Sequence, residues 1–273
     1  MNLPVIFMHT GYQDYLAQSI QQSQLWDNKV ILLGDDSNKK AHVEHHFMSD
    51  YMDGTQKFSD NYQHMTSGNF EFELFCYNRW LILSNFAERH SIEKLVYLDS
   101  DVATFCNFSD KENLLDEKNI ARVCMMDNQA NYRWCAAACI SYWSLRGLNT
   151  FKQFLLEAYT KHVDRLQEKW QYHQDHDKAG GVCDMTATYL FVKDNELEPL
   201  NKVLEDDSTF DQSMMSADNY FDNEYAMDPR GFKKLTFRGN IPYAYNTILN
   251  KEIKMNAIHT NNKQLLTALI GRN

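Results

Sequence analysis

Apolar and polar positions alternate along the first third of the chain in a way that predicts strands and helices in turn. Residues 3–8 and 29–33 are runs of aliphatic and β-branched side chains, which predict buried strands, and residues 15–25 between them have the apolar spacing of a helix. This strand–helix–strand order is typical of two parallel strands joined by a right-handed crossover. Residues 70–89 predict a longer amphipathic helix, which leads into a strand ending at Leu98.

The rest of the chain carries a more mixed pattern. Residues 40–69 and 205–231 are polar or acidic without a clear period and are expected to be irregular, and the role of the 40–69 excursion stays open. The other predicted segments are strands at 102–105, 120–126, 134–142, 235–237 and 254–258 and helices at 150–170, 184–193 and 265–270. Alternating strands and helices predict an α/β fold, with a mixed, mainly parallel sheet flanked by helices. No linker composition interrupts the 273 residues, so a single domain is expected.

Composition excludes several classes of protein. The 27 lysines and arginines against 37 aspartates and glutamates give a formal net charge of −10, which argues against a nucleic-acid partner. No run of about 18 apolar residues is present, so no transmembrane segment is expected. The first residues lack the basic start and apolar stretch of a secretion signal, and the six cysteines form no Cys-x-x-Cys pair. We therefore expect a cytoplasmic protein with reduced thiols, and a location peripheral to a membrane stays open.

The strand that ends at Leu98 is followed directly by Asp99-Ser100-Asp101. Ligands of open α/β sheets bind outside the carboxyl ends of the strands, so two carboxylates at this point face a ligand site. Carboxylates this close repel each other unless a cation lies between them. Oxygen ligands suit Mg²⁺ or Mn²⁺, ions that commonly bridge to substrate phosphates. The tripeptide therefore predicts a metal-dependent enzyme that acts on a phosphorylated donor.

The ends of the first two predicted strands suit a nucleotide pocket. His9 and Thr10 follow the first strand and can donate hydrogen bonds, and Asp35 or Asp36 follows the second strand and can accept from base or ribose groups. The sequence Asp-Asp-Ser also suits a plain turn or a helix cap, so the residues alone leave both interpretations open.

The helix containing Tyr77-Asn78-Arg79-Trp80, followed by the strand and the two aspartates of residues 94–101, resembles the GT-A glycosyltransferases. The likeness is greatest to the group that contains glycogenin and the bacterial lipopolysaccharide galactosyl- and glucosyltransferases. It is specific over residues 70–105, looser over 1–38 and 119–147, and fragmentary beyond. The resemblance implies a GT-A (Rossmann-like) sheet.

The same resemblance implies a metal and donor site. Asp99 and Asp101 would bind Mn²⁺ or Mg²⁺, and Arg79 would pair with the diphosphate or nucleotide of the donor. A late motif of the family, a histidine at a strand end followed by a lysine, is similar to Ile258-His259-Thr260-Asn261-Asn262-Lys263. His259 would then be the third protein ligand of the metal, and Lys263 would hold the β-phosphate. The glycine that usually separates the two in the family is absent here.

Two further acidic residues match positions that face the donor sugar in the family, and the resemblance makes both candidate catalytic residues. Asp127 follows a predicted strand, and Asp184 follows Gly180-Gly181-Val182-Cys183. A glutamine often stands beside the later acid in retaining members, whereas Cys183 and Met185 flank it here. Whether the reaction retains or inverts the anomeric configuration therefore stays open.

The function implied by the resemblance is metal-dependent transfer of a hexose from a nucleoside diphosphate sugar, with UDP as the nucleotide on family grounds. Residues 1–105 would form the nucleotide-binding half, and residues 106–273 the half that holds the sugar, the acceptor and the late donor-site segment. The acceptor, which is a glycan, a lipid-linked molecule or a protein, would contact residues 127–134, 171–180 and 205–231, where aromatic side chains are frequent. The donor sugar, the acceptor and the oligomeric state stay open.

Three other functions use related features. A sugar nucleotidyltransferase has a related sheet, but the glycine-rich basic loop of that class is missing after the first predicted strand. A non-catalytic nucleotide-sugar-binding protein would typically have lost a metal ligand, whereas Asp99, Asp101 and His259 are all present. A phosphatase of the haloacid dehalogenase type places its Asp-x-Asp motif on the first strand, which is not the case here. The first two of these stay as alternatives.

Overall fold

The computed structural model describes residues 3–41 and 43–270, and this part of the chain forms eleven strands and seven helices. The strands are β1 (Pro4–Met8), β2 (Lys29–Gly34), β3 (Glu44–Phe47), β4 (Lys94–Leu98), β5 (Val102–Thr104), β6 (Ala121–Met125), β7 (Ala136–Ser144), β8 (Ser208–Asp211), β9 (Leu235–Arg238), β10 (Ile241–Asn246) and β11 (Lys251–His259). The helices are α1 (Asp14–Gln24), α2 (Thr55–Asn61), α3 (Phe70–Arg89), α4 (Leu145–Ala158), α5 (Val163–Asp175), α6 (Asp184–Asp194) and α7 (Lys263–Ile270).

The larger of two sheets has six strands in the order β3-β2-β1-β4-β7-β6. The strands β1 to β4 pair in parallel, whereas β7 is antiparallel to both β4 and β6. The prediction of a mixed, mainly parallel sheet flanked by helices is confirmed. Because the carboxyl ends of parallel strands lie at the same edge, the residues that come after β1, β2 and β4 are neighbours there; these are His9, Asp35 and Asp99.

The smaller sheet brings the last third of the chain back to this edge. Its strand order is β5-β11-β10-β9, and β8 also pairs with β11. β11 runs antiparallel to β5 and parallel to β8, with His259 opposite Val102 and Ile258 opposite Asp211. This register carries His259 to the turn after β4, which places it beside the two aspartates.

The helix α3 fixes the position of Arg79 against the larger sheet. Its first turn is capped by the Asn69 side chain, which accepts the backbone N–H of Phe72 at 3.0 Å. Trp80 and Phe86 on this helix are fully buried, and each contributes roughly 1.5–3 kcal/mol of apolar transfer free energy. Because these buried side chains anchor α3, the other residues of the helix, including Arg79, have fixed positions relative to the strand ends.

The prediction of one long helix over residues 150–170 is wrong, because α4 and α5 are separate helices. At the break, the backbone N–H groups of Thr160, Lys161 and His162 all donate to the carbonyl of Glu157, which closes a turn. Tyr159 is buried at this turn, and its hydroxyl donates to the hydroxyl of Tyr77 at 3.0 Å. This core contact anchors the chain between the two helices.

Two segments that were expected to be irregular contain regular structure. β3 and α2 lie within residues 40–69, and β8 lies within residues 205–231. The thiols of Cys76, Cys106, Cys124, Cys135, Cys139 and Cys183 are free, as expected. None of the helices in the described ranges is long and apolar enough to span a membrane.

Candidate active site

Asp99, Asp101 and His259 lie together at the carboxyl edge of the larger sheet. Two carboxylate oxygens and one imidazole nitrogen, one atom from each residue, all lie within 4.8 Å of one another. Asp99 and Asp101 belong to the turn between β4 and β5, and His259 ends β11. Thr260 fastens the junction, since its backbone N–H and its hydroxyl donate to the carbonyl of Asp101 at 3.1 and 2.8 Å. The structure therefore groups the three metal ligands that the resemblance implies.

The imidazole of His259 has a defined orientation. Its Nδ1–H donates to the carbonyl of Gln212 at 2.9 Å, and Nε2 lies 3.2 Å from Oδ1 of Asp101. Burial lowers the pKa of His259, but the neighbouring Cys139 and Asp101 outweigh it and raise that pKa well above the usual value. Burial raises the pKa of Asp101, yet the hydrogen bond and charge of His259 bring it below its usual value. Both shifts favour a proton on Nε2 that is shared with Asp101, so a cation that bound at Nε2 would have to displace that proton.

Arg79 links Asp99 to α6. Its Nη1 donates to Asp99 Oδ1 at 3.0 Å and to the Tyr97 hydroxyl at 3.1 Å, and its Nη2 donates to Asp184 Oδ2 at 2.7 Å. The Tyr97 hydroxyl also donates to Asp99 Oδ1 at 2.7 Å, and Trp80 Nε1 donates to Asp184 Oδ2 at 3.2 Å. Two carboxylates therefore hold the guanidinium beside the cleft. The buried Asp184 side chain serves here as a counter-ion of Arg79.

A cleft of about 440 Å³ opens over Asp99, Asp101 and His259. His9 and Thr10 line it from the end of β1, and Phe72, Phe75 and Arg79 line it from α3. The remaining lining residues are Met8, Tyr15, Cys76, Tyr97, Asp99, Ser100, Asp101 and His259. Arg79, Asp99, Asp101 and His259, which were predicted to bind the metal or the donor, thus line one cleft together with His9 and Thr10.

The walls of the cleft are held by polar contacts as well. The His9 ring and the Ser100 hydroxyl form a hydrogen bond of 2.9 Å, which joins the ends of β1 and β4. The ammonium of Lys263 lies 4.7 Å from the ring centroid of Tyr15, a cation–π contact at the start of α7. Lys263 is also among the charges that lower the pKa of Asp101. This exposed lysine therefore lies beside Tyr15, which lines the cleft, and close enough to Asp101 to affect its pKa.

Asp35 and Asp36 lie in a neighbouring pocket of about 460 Å³, which shares Phe75 with the cleft. Asp35 Oδ2 accepts the backbone N–H of Gly11 at 2.7 Å, and hydrogen bonds lower its pKa although burial alone would raise it. Asp36 pairs with Lys39 at 2.6 Å on the surface. Asp35 thus holds the β1–α1 turn, while Asp36 is the more exposed of the two acids.

Asp127 lies in a different cavity from Asp99. Its carboxylate accepts from the Tyr220 hydroxyl at 2.9 Å, and it lines a separate cavity of about 420 Å³ with Phe221, Ile248 and other residues of the smaller sheet's side. The structure does not bring Asp127 to the lining of the cleft that holds Asp99. Its assignment as a catalytic residue stays a prediction.

Three contributors to the site were not predicted from the sequence. The Tyr97 hydroxyl binds both Arg79 and Asp99, and its place two residues before Asp99 was the available signal, since alternate strand residues share a face. The exposed ring of Phe72 lines the cleft, and its position on the first turn of α3 gave no distinctive signal. The Gln212 carbonyl is a backbone group, so no side-chain pattern could reveal it.

The three ligand residues fit a divalent cation. Two carboxylates and one imidazole supply hard oxygen donors and one nitrogen, a donor set that suits Mn²⁺ and also accommodates Mg²⁺. The histidine is oriented by a carbonyl that accepts from its other ring nitrogen, as metal-binding histidines usually are. Chemistry and geometry agree that this group can hold a metal ion.

Comparison with known proteins yields likeness at the level of structure. No sequence profile of a family and no curated protein sequence matches the chain. Mouse xyloside xylosyltransferase 1, in its apo form, superposes with a TM-score of 0.54 at 11% identity, over 78% of this chain and 88% of that one. The galactosyltransferase LgtC, in complex with donor and acceptor sugar analogues, superposes with a TM-score of 0.52 at 11% identity, over 99% of this chain and 96% of that one. At these identities the likeness concerns the fold alone: the chain has the GT-A glycosyltransferase fold.

Proposed function

We propose that this protein is a glycosyltransferase that moves a hexose from a nucleoside diphosphate sugar, with UDP as the nucleotide, to an acceptor, and that Asp99, Asp101 and His259 hold the Mn²⁺ or Mg²⁺ it requires. The observation that carries the proposal is the group of these three residues at the carboxyl edge of the parallel strands. Ligands of open α/β sheets bind at this edge. The names of its structural neighbours, a xylosyltransferase and a galactosyltransferase, support the same chemistry.

The reaction places negative charge on the departing diphosphate. A bound divalent ion neutralises part of that charge, a contribution of several kcal/mol. Lys263 lies against Tyr15, which lines the cleft, and would hold the β-phosphate. Arg79 lines the cleft and supports the site, because its bond to Asp99 would fix one metal ligand.

The nucleotide would lie along the ends of β1 and β2. His9 and Thr10 border the cleft, and Phe75 lines both the cleft and the pocket beside Asp35 and Asp36. Together the two spaces offer a diphosphate site next to a pocket with apolar walls and acidic acceptors. A nucleoside with N–H and O–H donors suits these walls.

The acceptor would approach across the loop of residues 127–134 and across residues 171–180, which include the end of α5; the two segments meet in the structure. The ring of Tyr132 lies 4.7 Å from that of Tyr172 and 4.8 Å from that of Trp134. Cys135 Sγ lies 3.8 Å from Met185 Sδ, so this aromatic group adjoins the start of α6. Aromatic rings of this kind can stack on the apolar face of a sugar.

Backbone strain in the first of these loops supports a functional role. Asn131, Tyr132 and Trp134 have φ angles of 55°, 55° and 33°, which cost non-glycine residues roughly 1–3 kcal/mol each. The buried ammonium of Lys169 donates to the carbonyls of Arg133 and Trp134 at 3.0 and 3.1 Å and so holds the strained conformation. Strain that is kept by a buried charge indicates a loop whose shape matters for binding.

A screen of nucleoside diphosphate sugars tests the proposal. The purified protein is incubated with each sugar and Mn²⁺, and release of the nucleoside diphosphate is measured with and without excess chelator. Hydrolysis of at least one UDP-sugar that stops on chelation supports the proposal. Turnover of a phosphomonoester instead, or of a nucleoside triphosphate with a sugar phosphate, would identify a phosphatase or a nucleotidyltransferase and contradict it.

A further inference from the structure

A buried lysine outside the cleft holds the loop that faces His259. The side chain of Lys233 is 0% exposed and that of its partner Asp211, at the end of β8, is 1% exposed. Lys233 Nζ donates to Asp211 Oδ1 at 2.5 Å, to the carbonyl of Ser213 at 2.7 Å and to the carbonyl of Asp218 at 2.9 Å. An ammonium group has three hydrogens, so these contacts use all of them.

The residue between two of these acceptors is Gln212. Its carbonyl accepts the Nδ1–H of His259 at 2.9 Å. The backbone adds two ties to the same loop, since Met214 N–H donates to the carbonyl of His259 and Lys233 N–H donates to the carbonyl of Met214, both at 2.9 Å. Lys233 therefore fixes the chain on both sides of the carbonyl that His259 contacts.

That carbonyl decides which ring nitrogen of His259 is free. A carbonyl can only accept, so Nδ1 keeps its hydrogen, and Nε2, which lies 3.2 Å from Asp101 Oδ1, is the nitrogen whose lone pair can bind a metal ion once the Nε2 proton has left. The Asn261 amide also lies 3.2 Å from Nδ1, but its oxygen and nitrogen can exchange places, so it does not oppose this tautomer.

Stability alone is a poor explanation of the Lys233–Asp211 pair. Buried ion pairs are often no more stabilising than apolar residues of the same volume. Within the described residues, Asp211 Oδ2 is buried without a hydrogen-bond partner, so the pair is not arranged for maximum stability. What the pair does secure is the position of the Ser213 and Asp218 carbonyls and, through them, of Gln212.

We propose that Lys233 is a positioning residue: by clamping the 211–218 loop it holds His259 in the tautomer and orientation that present Nε2 to the metal ion. The inference rests on the proposed function, which makes His259 a metal ligand. It extends that function, because it makes the Lys233–Asp211 pair, which lies outside the cleft, responsible for the orientation of His259.

The test removes the clamp without leaving a buried charge unpaired. The double variant Lys233→Met/Asp211→Leu replaces the pair by apolar residues and meets this condition. Asp211→Asn is a second variant, which keeps the shape of the side chain but removes the counter-ion of Lys233, so its folding is checked first. Lys169→Met is the matched control, because it also removes a buried ammonium that binds two loop carbonyls, those of Arg133 and Trp134. Circular dichroism verifies that each variant is folded.

Two readouts separate a positioning role from a structural one. Long-range ¹H–¹⁵N NMR of the metal-free protein, recorded where the ring is neutral, reports the tautomer of His259, and Mn²⁺ titration followed by electron paramagnetic resonance reports the affinity. We expect the wild type and Lys169→Met to share the Nδ1–H tautomer and one Mn²⁺ affinity. The clamp variants should mix tautomers and bind Mn²⁺ about 10–100-fold more weakly, with Asp211→Asn at the lower end.

The outcomes are distinguishable from failure of the metal site itself. An unchanged tautomer and an unchanged Mn²⁺ affinity in the clamp variants would overturn the role of Lys233. A wild-type protein that does not bind Mn²⁺ would overturn the proposed function, while the tautomer comparison would still decide whether Lys233 positions the ring. Equal weakening in Lys169→Met would mean that loss of any buried ammonium has this effect, which also contradicts the inference.

Discussion

Replacing Asp184 by asparagine tests whether the contact between α6 and α3 is an energetic link in the site. The substitution keeps the shape of the side chain but removes the charge that Arg79 Nη2 and Trp80 Nε1 both contact, at 2.7 and 3.2 Å. The Asp184 and Arg79 side chains are 6% and 11% exposed, so solvent screens this pair little. Arg79 keeps its bond to Asp99, which limits the loss. We expect the free energy of unfolding to fall by about 2–4 kcal/mol.

Asp194→Asn on the same helix is the matched control. Asp194 also pairs with an arginine, Arg165, at 2.6 Å, but the two side chains are 40% and 33% exposed, so the loss should stay below about 1 kcal/mol. Urea unfolding measures both variants, and an unchanged slope against urea concentration shows that the folded and unfolded states remain comparable. Equal losses in the two variants, or a loss below about 0.5 kcal/mol for Asp184→Asn, would show that the buried contact is no energetic link.

Three further predictions concern the metal and the donor. Asp101→Ala should lower turnover of the donor sugar by about a hundredfold or more while the fold persists, and steady-state kinetics that show near wild-type turnover would contradict this. Arg79→Lys keeps the charge but loses the planar fork, so calorimetry should show weaker UDP binding; an unchanged affinity would make this arginine purely structural. The affinity for Mn²⁺ should rise with pH, up to about tenfold per pH unit, because the raised pKa of His259 means that a proton must leave Nε2 before the ion binds. Mn²⁺ titrations at several pH values measure this, and one affinity at all of them would speak against His259 as a ligand.

The residues at the centre of the candidate site could be predicted from the sequence because they follow the ends of predicted strands. A short apolar run before Asp99 indicates a buried strand, and the residues at the carboxyl ends of parallel strands lie at one edge of the sheet. His259 was inferred from the resemblance, and the register of β11 against β5 supplies the physical reason for its position. The counter-ion role of Asp184 and the carbonyl of Gln212 depend on contacts between distant segments, which no local pattern encodes.

The smaller sheet was predicted only in part, for reasons that are local. β8 has four residues and one aromatic side chain, too few to show an alternating pattern. Pro242 lies inside β10, and a proline argues against a strand when only the sequence is read. In the larger sheet, β3, with the sequence Glu-His-His-Phe, is a polar edge strand whose pairing with β2 comes from the fold rather than from its own composition. The break between α4 and α5 depends on the buried Tyr159, whose partner Tyr77 lies on another helix.

A crystal structure of the protein with Mn²⁺ and UDP, in which anomalous scattering locates the ion, is the decisive measurement for the metal site. We expect an ion within roughly 2 Å of an oxygen of Asp99, an oxygen of Asp101 and Nε2 of His259, with the diphosphate on its open side and Lys263 beside the β-phosphate. An ion bound elsewhere, or a His259 ring beyond about 4 Å from it, would contradict the proposal that these three residues form the metal site.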